Sequence, residues 1–305
     1  MDIEREIAGR AAHIETIIKK YLPDTEECAY YEMTLRKAMN YSVLAGGKRL
    51  RPMLMEAAFA LFGGEGELVH PYMAAMEMIH TYSLVHDDLP AMDDDLYRRG
   101  KKTTHAVYGE AMGILAGDGL LNYAYETVAD AMVEQALAGA DCTRMVRAFA
   151  MMSSYAGLRG MVGGQSVDVE SEALAPDKMT EEKLMFIYCQ KTGALIQASL
   201  MIGATLAGAD DEEVGKMWDA GAKLGMAFQI QDDILDQTSS LEVLGKQVGS
   251  DEKNHKVTSV TLWGIDRAQA KVEQLSQEAV RILDELGRDD AFLRELFLYL
   301  IHRER

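Results

Sequence analysis

Two groups of aspartates sit inside runs that otherwise read as apolar helix: Asp87-Asp88-Leu-Pro-Ala-Met-Asp93-Asp94-Asp95 and Asp232-Asp233-Ile-Leu-Asp236. Two ionised carboxylates ~5 Å apart repel by roughly 3 kcal/mol at an effective dielectric of ~20. Clusters of this density therefore need a cation, or a partner that brings one. Hard oxygen ligands that leave room for water and phosphate suit magnesium. The first expectation is a site that handles diphosphate through Mg²⁺. A single such motif is commonly a solvated helix end, but two in apolar surroundings, each followed by basic residues, are hard to explain that way. Each lies near the C-terminal end of a long apolar run, which suggests two helices lining one cavity from opposite sides.

The pattern between and around the motifs is helical. Prolines number only 5 in 305 residues, and Ala, Leu, Met, Glu and Lys are abundant, the composition of an all-α chain. Helices are expected at roughly 2–20, 26–45, 49–62, 68–89, 110–137, 141–158, 180–208, 210–237, 256–286 and 289–303. Gly46-Gly47 and Gly63-Gly64 supply stop signals, and Thr180 with Glu181 and Glu182 supplies a start. No stretch alternates like a strand. No linker-like composition break appears, so residues 1–305 are read as one domain. The uncharged stretch Thr192–Ala209 is rich in Gly, Ala, Ser and Thr and contains Gln197. It reads as a helix buried on all sides rather than a membrane span, and no integral membrane association is expected.

A formal net charge of −18 disfavours nucleic acid, which wants a basic face. An acidic chain that binds an anionic substrate must concentrate its basic groups locally. Arg98, Arg99, Lys101 and Lys102 directly follow the first acidic motif, and Lys246, Lys253 and Lys256 follow the second. Gly46-Gly47-Lys48-Arg49-Leu-Arg51-Pro52 is a further candidate. Glycines allow close backbone approach to an anion, and arginine grips phosphate in bidentate fashion. His80 precedes Asp87 by two helical turns and shares its face. Cys28, Cys142 and Cys189 are isolated, so neither a disulfide framework nor a zinc site is suggested, and a reducing, cytoplasmic location fits.

Spacing also orders the carboxylates. Asp232 and Asp236 are four apart and share a helix face, while Asp233 points about 100° away. Asp87 and Asp93 are six apart and would not share a face on a straight helix. Pro90 should end or bend that helix, which could swing Asp93 back toward Asp87. On a straight helix Asp94 would align instead, so the ligand choice in this motif stays open on spacing alone.

Taken in order, Gly-Gly-Lys-Arg-Leu-Arg-Pro, His-Asp-Asp-Leu-Pro-Ala-Met-Asp-Asp-Asp…Arg-Arg-Gly, Lys191-Thr192-Gly193, Phe-Gln-Ile-Gln-Asp-Asp-Ile-Leu-Asp and Gly245-Lys246…Asp251…Lys256 resemble the short-chain trans-isoprenyl diphosphate synthases, and within them the bacterial farnesyl diphosphate synthase branch. The resemblance runs from about residue 30 to 265. It implies an all-α isoprenoid synthase-type helical bundle around a central cavity, a homodimer, Mg²⁺ as cofactor, and isopentenyl diphosphate and an allylic diphosphate as substrates. It implies Asp87, Asp93, Asp232 and Asp236 as metal ligands. Arg98, Lys191, Thr192, Gln229, Lys246 and Lys256 fall to the allylic diphosphate, and Lys48, Arg51, His80 and Arg99 to isopentenyl diphosphate. Tyr82, with Ser83, takes the chain-length position. An aromatic there, together with Pro90-Ala91 inside the acidic motif, goes with a C15 product, (2E,6E)-farnesyl diphosphate. Geranyl and geranylgeranyl diphosphate are the alternatives within the family. A class I terpene cyclase would carry a different second motif, and a non-catalytic helical metal-binding partner protein would not need His80, Lys48 and Arg51 in register. Leu96, Tyr97 and Lys102 depart from the family pattern, which implies altered loop behaviour around intact ligands.

Overall fold

In the computed structural model, residues 2–26, 31–172, 178–238, 257–289 and 291–301 are described. Fourteen α-helices run through them: α1 Ile3–Tyr21, α2 Met33–Val43, α3 Leu50–Leu61, α4 His70–Asp87, α5 Thr104–Tyr108, α6 Glu110–Leu137, α7 Thr143–Ala156, α8 Met161–Glu172, α9 Glu181–Ile187, α10 Ala194–Ala207, α11 Asp211–Thr238, α12 Ser259–Trp263, α13 Ile265–Leu286 and α14 Ala291–Ile301. A π-helical turn, Tyr188–Gly193, joins α9 to α10. The described strands are β1 Tyr97–Arg98 and β2 Lys101–Lys102, paired antiparallel as Tyr97↔Lys102 and Arg98↔Lys101. The all-α expectation holds.

The differences from the expected helices have local causes. Gly264 adopts φ +78°, a left-handed conformation, and splits the expected 256–286 helix into α12 and α13. The expected 180–208 helix contains the π turn, whose residues keep helical dihedrals at both flanks and so leave no break in pattern. The sequence does not announce α8, because its Gly163-Gly164 pair and five valine or serine positions hide the helical period. Its glycines serve packing. A Cβ on Gly164 would stand 2.2 Å from the backbone nitrogen of Lys191. The hairpin turn places Arg99 at φ +53° and Gly100 at φ +74°, the pattern of a type I′ turn, which Asn-Gly announces more clearly than Arg-Gly.

The chain divides into two compact units. The first comprises Asp2–Met53 and Gly66–Val146. Within it α4 is buried almost along its whole length, from Pro71 to Ile79 without a break. α6 packs on α4 through a small-residue notch. The His86 ring fills the space above Gly117, where a Cβ would meet Nε2 at 2.1 Å.

The second unit contains Leu54–Glu65 and the chain from Arg147 onward. Its centre is α10, buried at every position from Ala194 to Leu200 and from Ile202 to Leu206. Each buried Leu or Ile contributes about 2 kcal/mol of transfer free energy. At 14 residues α10 is a core helix, too short for the ~20 residues a bilayer requires. No described helix is long and apolar enough to cross a membrane.

Candidate active site

Pro90 acts as expected on the first acidic motif. α4 stops at Asp87, and the chain turns back so that the Asp93 N–H donates to the Asp87 carbonyl at 2.9 Å. The Met92 and Asp94 N–H groups both donate to the Leu89 carbonyl, at 2.9 and 3.1 Å. Asp94 takes a left-handed φ of +51°, which aspartate tolerates better than most residues. The backbone of Asp93 thus returns to the last turn of α4. Asp87 is half-buried and Asp93, Asp94 and Asp95 are exposed. Asp88 turns inward, 3% exposed, and accepts from Arg98 Nε at 2.6 Å. Burial pushes its carboxyl up to about 6 against the pull of the Arg98 guanidinium. A cavity of about 30 Å³ beside this pair is also lined by Thr81, whose buried hydroxyl lacks a partner among the described residues. It is roomy enough for one water.

The hairpin after the motif is fastened to the glycine-rich loop. The Tyr41 hydroxyl donates to the Lys102 carbonyl at 2.7 Å, and Arg99 Nη1 donates to the Gly46 carbonyl. The Arg99 guanidinium occupies the space a Cβ on Gly47 would take, 2.6 Å from Nη1, and Gly47 itself has φ +137°. Only glycine satisfies both conditions.

Arg51 and His80 are half-buried beside Arg99. Burial lowers the Arg51 guanidinium to about 10, with Glu77 as the favourable countercharge, so it stays cationic at neutral pH. Desolvation, then Arg51 and the neighbouring arginines, holds the His80 imidazole well below its usual range. It is therefore neutral, with one N–H to donate. Lys48 lies exposed in the adjoining loop. The structure thus brings Arg51, His80, Arg98 and Arg99 into one electrostatic neighbourhood.

The depressed His80 value has a stability consequence. A histidine that binds a proton less readily folded than unfolded makes the unfolded state the better proton acceptor, so stability rises with pH up to about 6.5. His80→Gln should flatten that rise. Thermal midpoints measured from pH 5 to 7.5 test it, and an unchanged slope would remove His80 as its source.

Sequence reasoning passed over Arg49 and Glu77. Arg49 is 2% and Glu77 1% exposed, and Arg49 Nη1 donates to Glu77 Oε1 at 2.6 Å. Arg49 Nη2 also donates to the Val43 carbonyl at 2.8 Å. A lone glutamate within Met-Ala-Ala-Met-Glu-Met-Ile was the available signal.

The second motif divides as its spacing requires. Asp232 is exposed, Asp236 half-buried and Asp233 buried. Two further expected residues meet: the Thr192 hydroxyl donates to Gln229 Oε1 at 2.8 Å. Lys191 Nζ donates at 2.7 Å to Oδ2 of Asp168, a residue on α8, whose helical period the sequence obscures. Lys246 and Lys256 lie outside the described residues. Tyr82 is buried on α4, edge-to-face with His86 at 5.7 Å between ring centroids. Its buried hydroxyl has no hydrogen-bond partner among the described residues. The Ser83 hydroxyl donates to the His80 carbonyl at 2.9 Å.

Among the described residues no three His, Cys, Asp or Glu side chains gather as a ready-made metal cage. Magnesium seldom uses one, since one or two carboxylates plus waters and substrate phosphates suffice. Accessible carboxylates one helical turn apart, as Asp232 and Asp236 are, fit that donor set.

Residues 32–290 match the Polyprenyl synthetase family. The chain is 44% identical over 273 residues to a chloroplastic geranylgeranyl pyrophosphate synthase of Catharanthus roseus, covering 89% of this chain and 74% of that protein. It is 39% identical over 299 residues to the farnesyl diphosphate synthase of Geobacillus stearothermophilus, covering 97% of each. The crystal structure of a geranyltransferase from Helicobacter pylori, complexed with magnesium and isoprenyl diphosphate, superposes with a TM-score of 0.81 at 31% identity, over 99% of this chain and 97% of that one. With acidic motifs and basic clusters in the family's order, on an all-α framework, the chain belongs to the polyprenyl synthetase family and is a trans-prenyltransferase.

Proposed function

We propose that the protein condenses isopentenyl diphosphate with dimethylallyl and then geranyl diphosphate, giving (2E,6E)-farnesyl diphosphate and diphosphate. The observation that carries this reading is the cluster of Arg51, His80 and Arg99 in a chain of net charge −18. Such a cluster has little reason to exist without an anion to hold. Together with Lys48 it is assigned to isopentenyl diphosphate. Arg98, Lys191, Thr192, Gln229, Lys246 and Lys256 are assigned to the allylic diphosphate. Arg98 and Lys191 each already lean on a carboxylate, which orients them.

Asp87, Asp93, Asp232 and Asp236 would hold Mg²⁺, which supplies positive charge to a departing diphosphate. The cationic side chains stabilise the same charge as the allylic C–O bond breaks. Neutral His80 offers a hydrogen bond without adding to the crowded positive charge around it. The double bond of isopentenyl diphosphate then attacks the allylic carbon, and the released diphosphate takes the proton lost in forming the new double bond. Apolar walls spare the cation from water.

Product length is assigned to Tyr82. It lies five residues before Asp87, ~7.5 Å deeper along α4 at 1.5 Å per residue, and it is buried and bulky enough to floor a prenyl tunnel. Tyr82→Ala should shift products toward longer chains, read by chromatography after dephosphorylation. An unchanged product spectrum removes Tyr82 from this role, and a C20 product from the unaltered protein would replace farnesyl by geranylgeranyl diphosphate. Radiolabelled isopentenyl diphosphate with dimethylallyl diphosphate, with and without Mg²⁺, tests the activity itself.

The family match crosses both compact units, which supports reading residues 1–305 as one catalytic domain. Adjacent exposed Ile114 and Leu115 on α6 support a homodimer. The free thiols Cys142 and Cys189 support a cytoplasmic location.

A further inference from the structure

Asp233 is the residue of the second motif that cannot share the metal-facing side of α11, and its surroundings are unusual. It is 4% exposed, and one oxygen, Oδ2, accepts from the Tyr188 hydroxyl, from the Ser259 N–H at 2.9 Å and from the Ser259 hydroxyl at 2.6 Å. Burial, then the Asp233 charge, holds the Tyr188 proton well above the ordinary phenol range, so the tyrosine is a permanent donor. Tyr188 opens the π-helical turn that carries Lys191 and Thr192.

That turn is registered on α11 at three points spaced by four residues. Gly193 lies against Gly225, where a Cβ on Gly225 would fall 2.6 Å from the Gly193 Cα. Thr192 donates to Gln229, and Tyr188 donates to Asp233. Gly225, Gln229 and Asp233 form one stripe of α11, and Asp232 and Asp236 lie on the stripe beside it. A π turn is a rare conformation that persists where tertiary contacts hold it.

We propose that Asp233 is a positioning residue: through Tyr188 it locks the π turn in one register on α11, fixing Lys191 and Thr192 relative to the carboxylates of Asp232 and Asp236. This rests on the assignment of those residues to the allylic diphosphate and its metal. Loss of the lock loosens the grip on the allylic substrate and leaves the isopentenyl site, built from residues of the other unit, as it was.

The test is steady-state kinetics of the full-length protein with Mg²⁺, comparing Tyr188→Phe, Asp233→Asn and Ser259→Ala with Asp232→Asn. Tyr188→Phe should raise KM for geranyl diphosphate about tenfold, as expected for loss of a hydrogen bond to a charged group, with KM for isopentenyl diphosphate within about twofold. Asp233→Asn should do the same, and Ser259→Ala, which keeps the Tyr188 bond, should raise it only about threefold. The ratio of the two KM values is unaffected by partial loss of folded protein, so a merely structural role would not move it. Equal changes in both KM values, or none, while Asp232→Asn still lowers kcat about a thousandfold, overturn the positioning role alone. A fully active Asp232→Asn protein overturns both that role and the metal assignment beneath it.

Discussion

Asp232→Asn should lower kcat about a thousandfold. Asparagine keeps the size and one oxygen of the side chain but removes the charge that a hard divalent cation requires. A metal ion contributes several kcal/mol to stabilising charge in the transition state, and losing about 4 kcal/mol of that corresponds to roughly 10³ in rate. Asp232 suits this role because it is exposed and shares a face with Asp236, one turn away. The signature should be a raised Mg²⁺ requirement, with part of the lost rate returning at high metal concentration. Removing the metal from the unaltered protein with a chelator should stop turnover, and Mg²⁺ should restore it. A Mg²⁺ dependence identical in the variant and the unaltered protein would take Asp232 out of the metal site.

The second large effect concerns stability. Glu77→Ala should destabilise the protein by about 3–5 kcal/mol, the usual cost of stranding one partner of a buried ion pair. Arg49 would be left almost wholly buried, with the Val43 carbonyl and Glu15, 3.6 Å away, as its remaining partners. Arg49 also adopts φ +52°, a conformation disfavoured for a non-glycine residue. Its pairing with Glu77 holds that conformation in place just before Arg51. By the usual scaling, the thermal midpoint should fall by about 6–20 °C. Replacing both partners together, Arg49→Met with Glu77→Leu, should cost much less, because no charge is stranded. A Glu77→Ala midpoint within about 3 °C of the original, or a double variant as unstable as the sum of the singles, would show that the pair is not coupled.

The contrast between these two sites explains what could be read in advance. Asp232 and Asp236 announce themselves because they are charged in an apolar helix at regular spacing, whereas Lys191 and Thr192 stand out only through the resemblance of their motif to the family. The return of Asp93 to Asp87 was legible too, since Pro90 cannot continue α4. Arg49 hid inside a basic run, and only its burial separates it from Lys48. Asp168 hid on a helix whose glycines and valines blur the period. The π turn left no distinctive local mark, because a one-residue change of helical register requires no proline and no cap, and its one glycine, Gly193, serves close packing on Gly225.

Helical class, the positions of most helices, the local concentration of basic groups in an acidic chain and the division of Asp232 and Asp236 from Asp233 all follow from the order of residues alone. They depend on periodicity, charge and backbone sterics, which act over a few residues. Which groups are held by which partners was decided only by tertiary structure. Arg98 on Asp88, Lys191 on Asp168, Arg49 on Glu77 and Tyr188 on Asp233 join positions 10 to 45 residues apart. Burial makes each of these polar groups require a partner, and only the packing of the helices determines which partner is within reach.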